Sequence, residues 1–223
     1  MLDSWTPVRT SYAQHGEDRW VLEQLSGLDL SAGIYVEVGA YHPSRMSNTY
    51  LLYRQGLSGV LVEPNPEMVR LLRRFRPRDR IVAAGCDGEA GTKSFFVYST
   101  PADSSFSPER VPRNEVEKRL RRVATILVPV LPLDAILAAV DHEWVYFLSI
   151  DAEGLDDRVL RGATKTLGRA LLVCIESLPT NPGIDARIEV LMQANGFREV
   201  ERIAFNRFYR NERRLDLGAW RSA

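Results

Sequence analysis

Short apolar runs alternate with amphipathic stretches along this chain. Ile34-Tyr35-Val36-Glu37-Val38 is rich in β-branched residues and stops at Gly39, as a buried strand does. Gly59-Val60-Leu61-Val62-Glu63 is closed by Pro64-Asn65-Pro66, and Ile81-Val82-Ala83-Ala84 follows. Two more runs, 145–150 and 170–175, end at Asp151 and Glu176. Between them the period changes. Asn65 can cap a helix opened by Pro66, with Met68, Leu71, Leu72 and Phe75 on one face. A stripe of Leu155, Val159, Leu160, Ala163 and Leu167 predicts one helix over 155–167, with Asp156 and Asp157 in its first turn. Ile188, Leu191 and Met192 mark another helix, stopped by Asn195-Gly196, and Trp20, Val21 and Leu25 one before the first strand. Nearly continuous apolar strands separated by helices predict an α/β fold: a doubly wound, mostly parallel sheet with helices on both faces. Phe95–Tyr98 adds a strand with no helix before it, and 198–210 a closing pair.

A chain of 223 residues has room for one good-sized domain, so 1–223 is read as a single unit. Within it, 1–30 is an N-terminal helical segment. Residues 99–122, rich in Ser, Pro and charge, form an inserted excursion with a short basic helix. The composition, 45% hydrophobic and 26% charged, is that of an ordinary globule. The 29 basic and 29 acidic side chains cancel, so no whole-molecule field draws nucleic acid or anionic lipid. Of the basic residues only Lys93, Lys118 and Lys165 are lysine. The arginine runs around 70–80 and 119–122 read as solvated faces. Cys86 and Cys174 form no C-x-x-C and read as small buried residues. Met1-Leu2-Asp3-Ser4 does not open a secretory leader. The longest uncharged run, 123–133, falls short of the roughly 18 residues that span a bilayer. A soluble, cytoplasmic protein is expected.

In an open parallel sheet, ligands bind beyond the carboxyl ends of the strands. Those ends carry Glu37, Glu63, Asp87, Asp151, Glu153 and Glu176. G-x-G-x-x-G is absent after the first strand, which disfavours a dinucleotide but is compatible with a nucleoside lacking phosphates. Glu63, 24 residues beyond Gly39, suits the acid that grips both ribose hydroxyls. The competing role, a capping carboxylate, is already available from Asn65. S-adenosylmethionine is such a nucleoside. Its use on a hydroxyl requires in-line positioning and a proton acceptor.

Four stretches then carry a family resemblance. Ser11-Tyr12-Ala13-Gln14-His15-Gly16-Glu17-Asp18 resembles the S-Y-S-Q-x-G-E-D motif of the FkbM-type methyltransferases. Tyr35 to Ala40, with His42-Pro43 and Ser47-Asn48-Thr49-Tyr50, resembles a subgroup's first-strand loop. Gly59 to Pro66 resembles the second strand. Leu148 to Gly154, with Val159-Leu160-Arg161-Gly162, resembles I-D-V-E-G-x-E-x-x-V-L-x-G. Asp157 stands where that helix usually carries Glu, and the loop after Gly39 lacks a further glycine common in the family.

The resemblance spans Ser11 to about Arg210. It implies a Rossmann-like, class I, S-adenosylmethionine-dependent O-methyltransferase acting on a sugar, glycolipid or polyketide-like natural product. Glu37 and Gly39 would then face the cofactor's amino-acid end, Glu63 its ribose, and Asp87 its adenine amino group. Gln14 and Glu17 would close over it, and Ala40, Ser47, Asn48, Pro64 and Asp151 complete the expected cofactor site. Asp151 and Glu153 are the main catalytic candidates, with His42 the competing general base. Asp151, Glu153 and Glu176 are also the residues that could hold a divalent cation, an option left open but not favoured. The acceptor is expected to be a small molecule or glycan, lying against the 99–122 excursion and the N-terminal segment. Two other functions stay open: a non-catalytic scaffold in a biosynthetic assembly, and an N-methyltransferase on nucleic acid or protein. The absence of N-P-P-Y or D-P-P-Y after the fourth strand counts against the second.

Overall fold

The computed structural model describes residues 10–152, 154–177 and 182–214. The main sheet has seven strands: β1 (Gly33–Val38), β2 (Gly59–Val62), β3 (Arg80–Val82), β7 (Trp144–Ile150), β8 (Ala170–Glu176), β9 (Phe197–Ile203) and β10 (Asn206–Asn211). Their order is β3-β2-β1-β7-β8-β10-β9. The first five run parallel, while β10 is antiparallel to both β8 and β9. From β1 the chain winds outward to β2 and β3, then returns to lay β7 on the other flank. The strand order therefore reverses between β1 and β7, and a crevice opens at their carboxyl ends.

Alternation along each strand covers both faces. Val36, Val38, Val60, Val62, Leu148, Ile150, Val173 and Ile175 belong to one buried cluster. Tyr35, Leu61, Phe147, Leu172, Cys174 and Phe208 belong to the other. Helix α1 (Glu17–Gln24) and α2 (Tyr50–Arg54) supply Val21, Leu22, Leu51 and Leu52 to the second cluster. Helix α3 (Pro66–Phe75) begins as expected, with the Asn65 side chain accepting from the Glu67 amide at 3.0 Å and Pro66 in the first turn.

A second, three-stranded sheet orders β4 (Gly85–Cys86), β6 (Arg122–Leu131) and β5 (Gly91–Tyr98) as β4-β6-β5. The expected run 81–84 is thus divided: Arg80–Val82 joins the main sheet, and the chain enters the small sheet three residues later. Residues 99–121 leave β5 and return into β6. They contain helix α4 (Arg110–Pro112) and a wide turn at Arg113–Glu117. This excursion is pinned by the Phe96–Ser105 bridge and by Tyr98 N donating to Ser104 Oγ at 3.1 Å.

After α5 (Leu133–Leu137), the single helix expected over 155–167 is two: α6 (Asp156–Arg161) and α7 (Thr164–Leu167). The break falls at Gly162, where a Cβ would stand 2.5 Å from the Asp87 carbonyl oxygen. Helix α8 (Pro182–Ala194) packs on α6 and ends before Gly196. One arginine departs from the solvated face expected for 70–80. Arg76 is fully buried, donating to Asp79, Tyr35 Oη, Thr49 Oγ1 and the Pro43 carbonyl over 2.7–3.1 Å.

Candidate active site

At the crevice, Gly39 turns with φ 80, and a Cβ there would sit 2.1 Å from the Asp151 carbonyl oxygen. Only glycine fits the approach of the two strand ends. Gly39 and Ala40 donate to the Val62 carbonyl at 3.0 and 3.2 Å, so the loop crosses over the tip of β2. Glu63, buried at that tip, lines the cavity. Its Oε2 accepts from the Tyr41 amide at 2.8 Å and its Oε1 from the Asn65 amide at 2.7 Å. Burial raises its pKa to about 7 against these hydrogen bonds, with the nearby charges of Asp151 and Glu37 adding to the rise. Tyr41 itself lies in the left-handed region at φ 49, and Met46 at φ 54, a costly backbone state for residues with a Cβ.

The cavity is walled by Gln14, Glu17, Gly39, Asn48, Glu63, Pro64, Asp151 and Glu176 among the residues expected from sequence. Glu17 accepts from the His15 amide at 2.7 Å and from Asn206 Nδ2 at 2.9 Å, which ties α1 to the β10 edge. Asn48 Nδ2 donates to Ser149 Oγ at 3.0 Å. Asp151 is open to the cavity yet hemmed by protein, and desolvation raises its pKa while Arg110 opposes the rise. Glu176 is pushed up to about 8 by desolvation, then by the charges of Asp151 and Asp156. Asp156, whose Oδ1 accepts from the Ala152 amide at 2.8 Å, is raised to about 7 by burial.

Four expected cofactor residues stand elsewhere. Glu37 shares the Tyr35 face of β1, because the pleat sends alternate side chains to opposite sides. Its buried carboxylate accepts from Thr49 Oγ1 at 2.6 Å, the Asn48 amide at 3.0 Å and Ser47 Oγ at 3.2 Å. Glu37 and Ser47 therefore brace the loop from behind, and Ala40 is buried in the second core cluster. Asp87 pairs with Lys93 and Arg158 and lines a neighbouring groove instead of the cavity.

His42 is outside the cavity lining as well. Its Nδ1 accepts from the Ser44 and Arg45 amides at 3.1 and 3.0 Å. A neutral ring accepting at Nδ1 carries its proton on Nε2, which leaves no nitrogen to take another. Glu153 lies outside the described residues. Among the described residues no three His, Cys, Asp or Glu side chains converge to hold a metal ion.

The sequence reading missed the apolar half of the cavity. Cys86, Phe95 and Phe106 form an apolar wall, the two rings packed on each other with centroids 4.7 Å apart, and Tyr41, Met46 and Asn206 add to the walls. Phe106 packs on Gly85, where a Cβ would meet the ring at 2.6 Å. The signal was faint: Cys86 follows a glycine at a strand end, and Phe106 is the one aromatic in the 99–122 excursion.

A seven-stranded sheet of this order, with a glycine turn and an acid at the first two strand tips, defines the protein as a class I methyltransferase fold. Among solved structures, methyltransferase FkbM from Methylobacillus flagellatus KT is similar, with a TM-score of 0.50 at 16% identity, covering 80% of this chain and 43% of that one. The sequence matches the methyltransferase FkbM domain over residues 37–199, and the chain belongs to that family of methyltransferases.

The mitomycin 7-O-methyltransferase MmcR gives a TM-score of 0.40 at 14% identity, over 87% of this chain and 56% of that one. The human methyltransferase 10 domain containing protein gives 0.41 at 10%, over 87% and 78%. The chain thus spans less than two thirds of the first two proteins. No curated protein matches the sequence. Among the described residues, no helix is long and apolar enough to cross a membrane.

Proposed function

We propose that the protein uses S-adenosylmethionine to methylate a hydroxyl of a sugar, glycolipid or polyketide-like natural product. One observation carries this reading: the buried carboxylate of Glu63 in the cavity wall, beside the left-handed turn at Gly39. Each of its oxygens accepts one backbone N–H and keeps room for a second donor, which suits the paired hydroxyls of a ribose. The apolar wall of Cys86, Phe95 and Phe106 suits a flat neutral base, and the acids Glu17, Asp151 and Glu176 suit a cationic end. Gln14, Gly39, Asn48 and Pro64 complete the proposed contacts. When bound, the cofactor supplies a methyl group on a sulfonium whose departure as a thioether needs no protonation.

The remaining chemistry falls to the chain. Asp151 takes the acceptor's hydroxyl proton on a carboxylate oxygen, and its desolvation makes it a stronger base than an exposed aspartate. Asp151's charge adds to the rise in Glu176's pKa, so the two carboxyls titrate as a coupled pair. Pro101, Ala102, Ser104, Ser105 and Phe106 of the excursion form one wall of the cavity. Calorimetric titration with S-adenosylmethionine tests the reading, together with methyl transfer to pools of hydroxylated acceptors. Binding at micromolar concentration is expected, with Asp151→Asn losing turnover by far more than it weakens binding. Absence of binding at high micromolar concentration would refute it.

A further inference from the structure

We propose that the groove beside the cavity, walled by Arg158, Arg161 and Arg187, binds an anionic group, phosphate or carboxylate, on the molecule that is methylated. Its floor holds two buried carboxylates, Asp87 and Asp157, whose side chains are 2% and 5% exposed. Asp87 accepts from Arg158 Nε at 2.7 Å and pairs with Lys93. Asp157 accepts from Arg187 Nε at 2.6 Å and from an Arg161 terminal nitrogen at 3.5 Å. Two carboxylates thus meet four cations, which leaves a local positive excess. The rest of the lining carries Glu89, Glu109 and Glu117 against Arg110 and Arg113, which takes back one charge and leaves the cations, Lys93 included, in excess by one.

The guanidinium geometry gives this excess a direction. Arg158 and Arg187 are anchored through Nε, and among the described residues no hydrogen bond engages their two terminal nitrogens. Their side chains remain about half exposed to the groove, at 48% and 49%. Two oriented, half-desolvated forks suit the oxygens of a phosphate or carboxylate. The groove also adjoins the cavity along the chain. Asp151 and Ala152 line the cavity, while Gly154 and Leu155, a few residues on, line the groove. Arg110 lines the groove and its field reaches Asp151 and Glu176. An acceptor held by its anion here presents a neighbouring hydroxyl to Asp151, a use that rests on the methyl-transfer reading.

Anion binding is measurable without cofactor. The full chain is titrated calorimetrically at low salt with inorganic phosphate, glucuronate and glucose. At least one anion is expected to bind and glucose not to. The tighter anion identifies a phosphorylated or a carboxylated acceptor. Arg158→Gln and Arg187→Gln should each weaken anion binding about ten- to a hundredfold, the loss of a charge-assisted hydrogen bond. Arg161→Gln removes only the longest of the three contacts. It keeps the test usable if the other variants fold poorly, and it should weaken binding in the same direction. Glucose binding as well as glucuronate, neither anion binding, or all three variants binding normally would overturn the proposal. Anion binding intact with no S-adenosylmethionine binding would sink the methyl-transfer reading and leave the groove's assignment standing.

Discussion

Glu63 offers a quantitative test, because the structure makes it expensive to ionise until a ligand arrives. Its pKa rises from 4.5 to about 7, chiefly by burial. The group is protonated more readily in the folded chain than in the unfolded one. Its stabilising share is therefore fully present below about pH 4.5 and is lost as pH rises through about 7, an effect of about 3 kcal/mol. Asp156 and Glu176, raised to about 7 and about 8, act in the same direction. The ligand-free protein should accordingly melt at higher temperature near pH 5 than near pH 8.

A ribose diol donating to Glu63 favours the charged form and pulls the pKa back down, so binding at pH 6.5 should expel a proton. If the bound value returns to the ordinary carboxylate range, about three-quarters of a proton leaves from Glu63 at pH 6.5 and almost none at pH 8.5. Calorimetric titration of S-adenosylmethionine in buffers of different ionisation enthalpy measures that number. Glu63→Gln should remove this share of the release. It should also weaken binding about ten- to a hundredfold, because the amide nitrogen cannot accept. Proton release at pH 6.5 that is the same in wild type and Glu63→Gln would refute the assignment of the ribose to this carboxylate.

Three further outcomes follow from the same geometry. Gly39→Ala puts a methyl 2.1 Å from the Asp151 carbonyl at a φ of 80, so cofactor titration should show binding lost and the melting temperature should fall. The rate of methyl transfer, kcat/KM, should climb with pH as Asp151 loses its proton, over a range above that of an exposed aspartate; in Asp151→Asn the residual rate should lose that rise. Arg76→Met strips the buried Asp79 of its partner and should cost about 3–5 kcal/mol, read as a drop of about 10 °C in melting temperature; a change below about 2 °C would contradict the network described.

The parallel sheet was legible because its strands are buried on both faces, which leaves continuous runs such as 145–150 and 170–175 with little polar interruption. The start of α3 was legible for a local reason, since Asn65 and Pro66 do their work within one turn. Long-range contacts were not. Strand β6 alternates exposed Val123 and Leu127 with half-buried neighbours and contains Pro129, so neither its length nor its pairing announced a strand. The α6–α7 break depends on Gly162 meeting the Asp87 carbonyl from a different part of the chain. Arg76 looks like Arg73 and Arg74 in sequence, and only Tyr35, Thr49 and Asp79 distinguish it. The strand-end rule found the polar wall of the cavity. It did not foresee that Glu37, a residue before the strand tip, obeys the pleat and lies behind the loop, or that Asp87 lines the neighbouring groove because β4 leaves the main sheet.

The places taken by Glu37 and Arg76 explain how the site keeps its shape. The loop from Gly39 to Thr49 contains two left-handed residues, Tyr41 and Met46, that an isolated chain would abandon. It is held at one end by Glu63 accepting from the Tyr41 amide and at the other by Glu37 gathering Ser47, Asn48 and Thr49. Behind Glu37 stands Arg76, which also fixes the Pro43 carbonyl and is itself fixed by Asp79 and Tyr35. Arg76 opposes the rise in Glu37's pKa that burial causes. The charge that stabilises the loop's far end therefore comes from the turn after α3, and of the acids at the tips of β1 and β2 only Glu63 lines the cavity. Two glutamates on adjacent strands thus hold the two ends of one loop, Glu37 from behind it and Glu63 from the cavity wall.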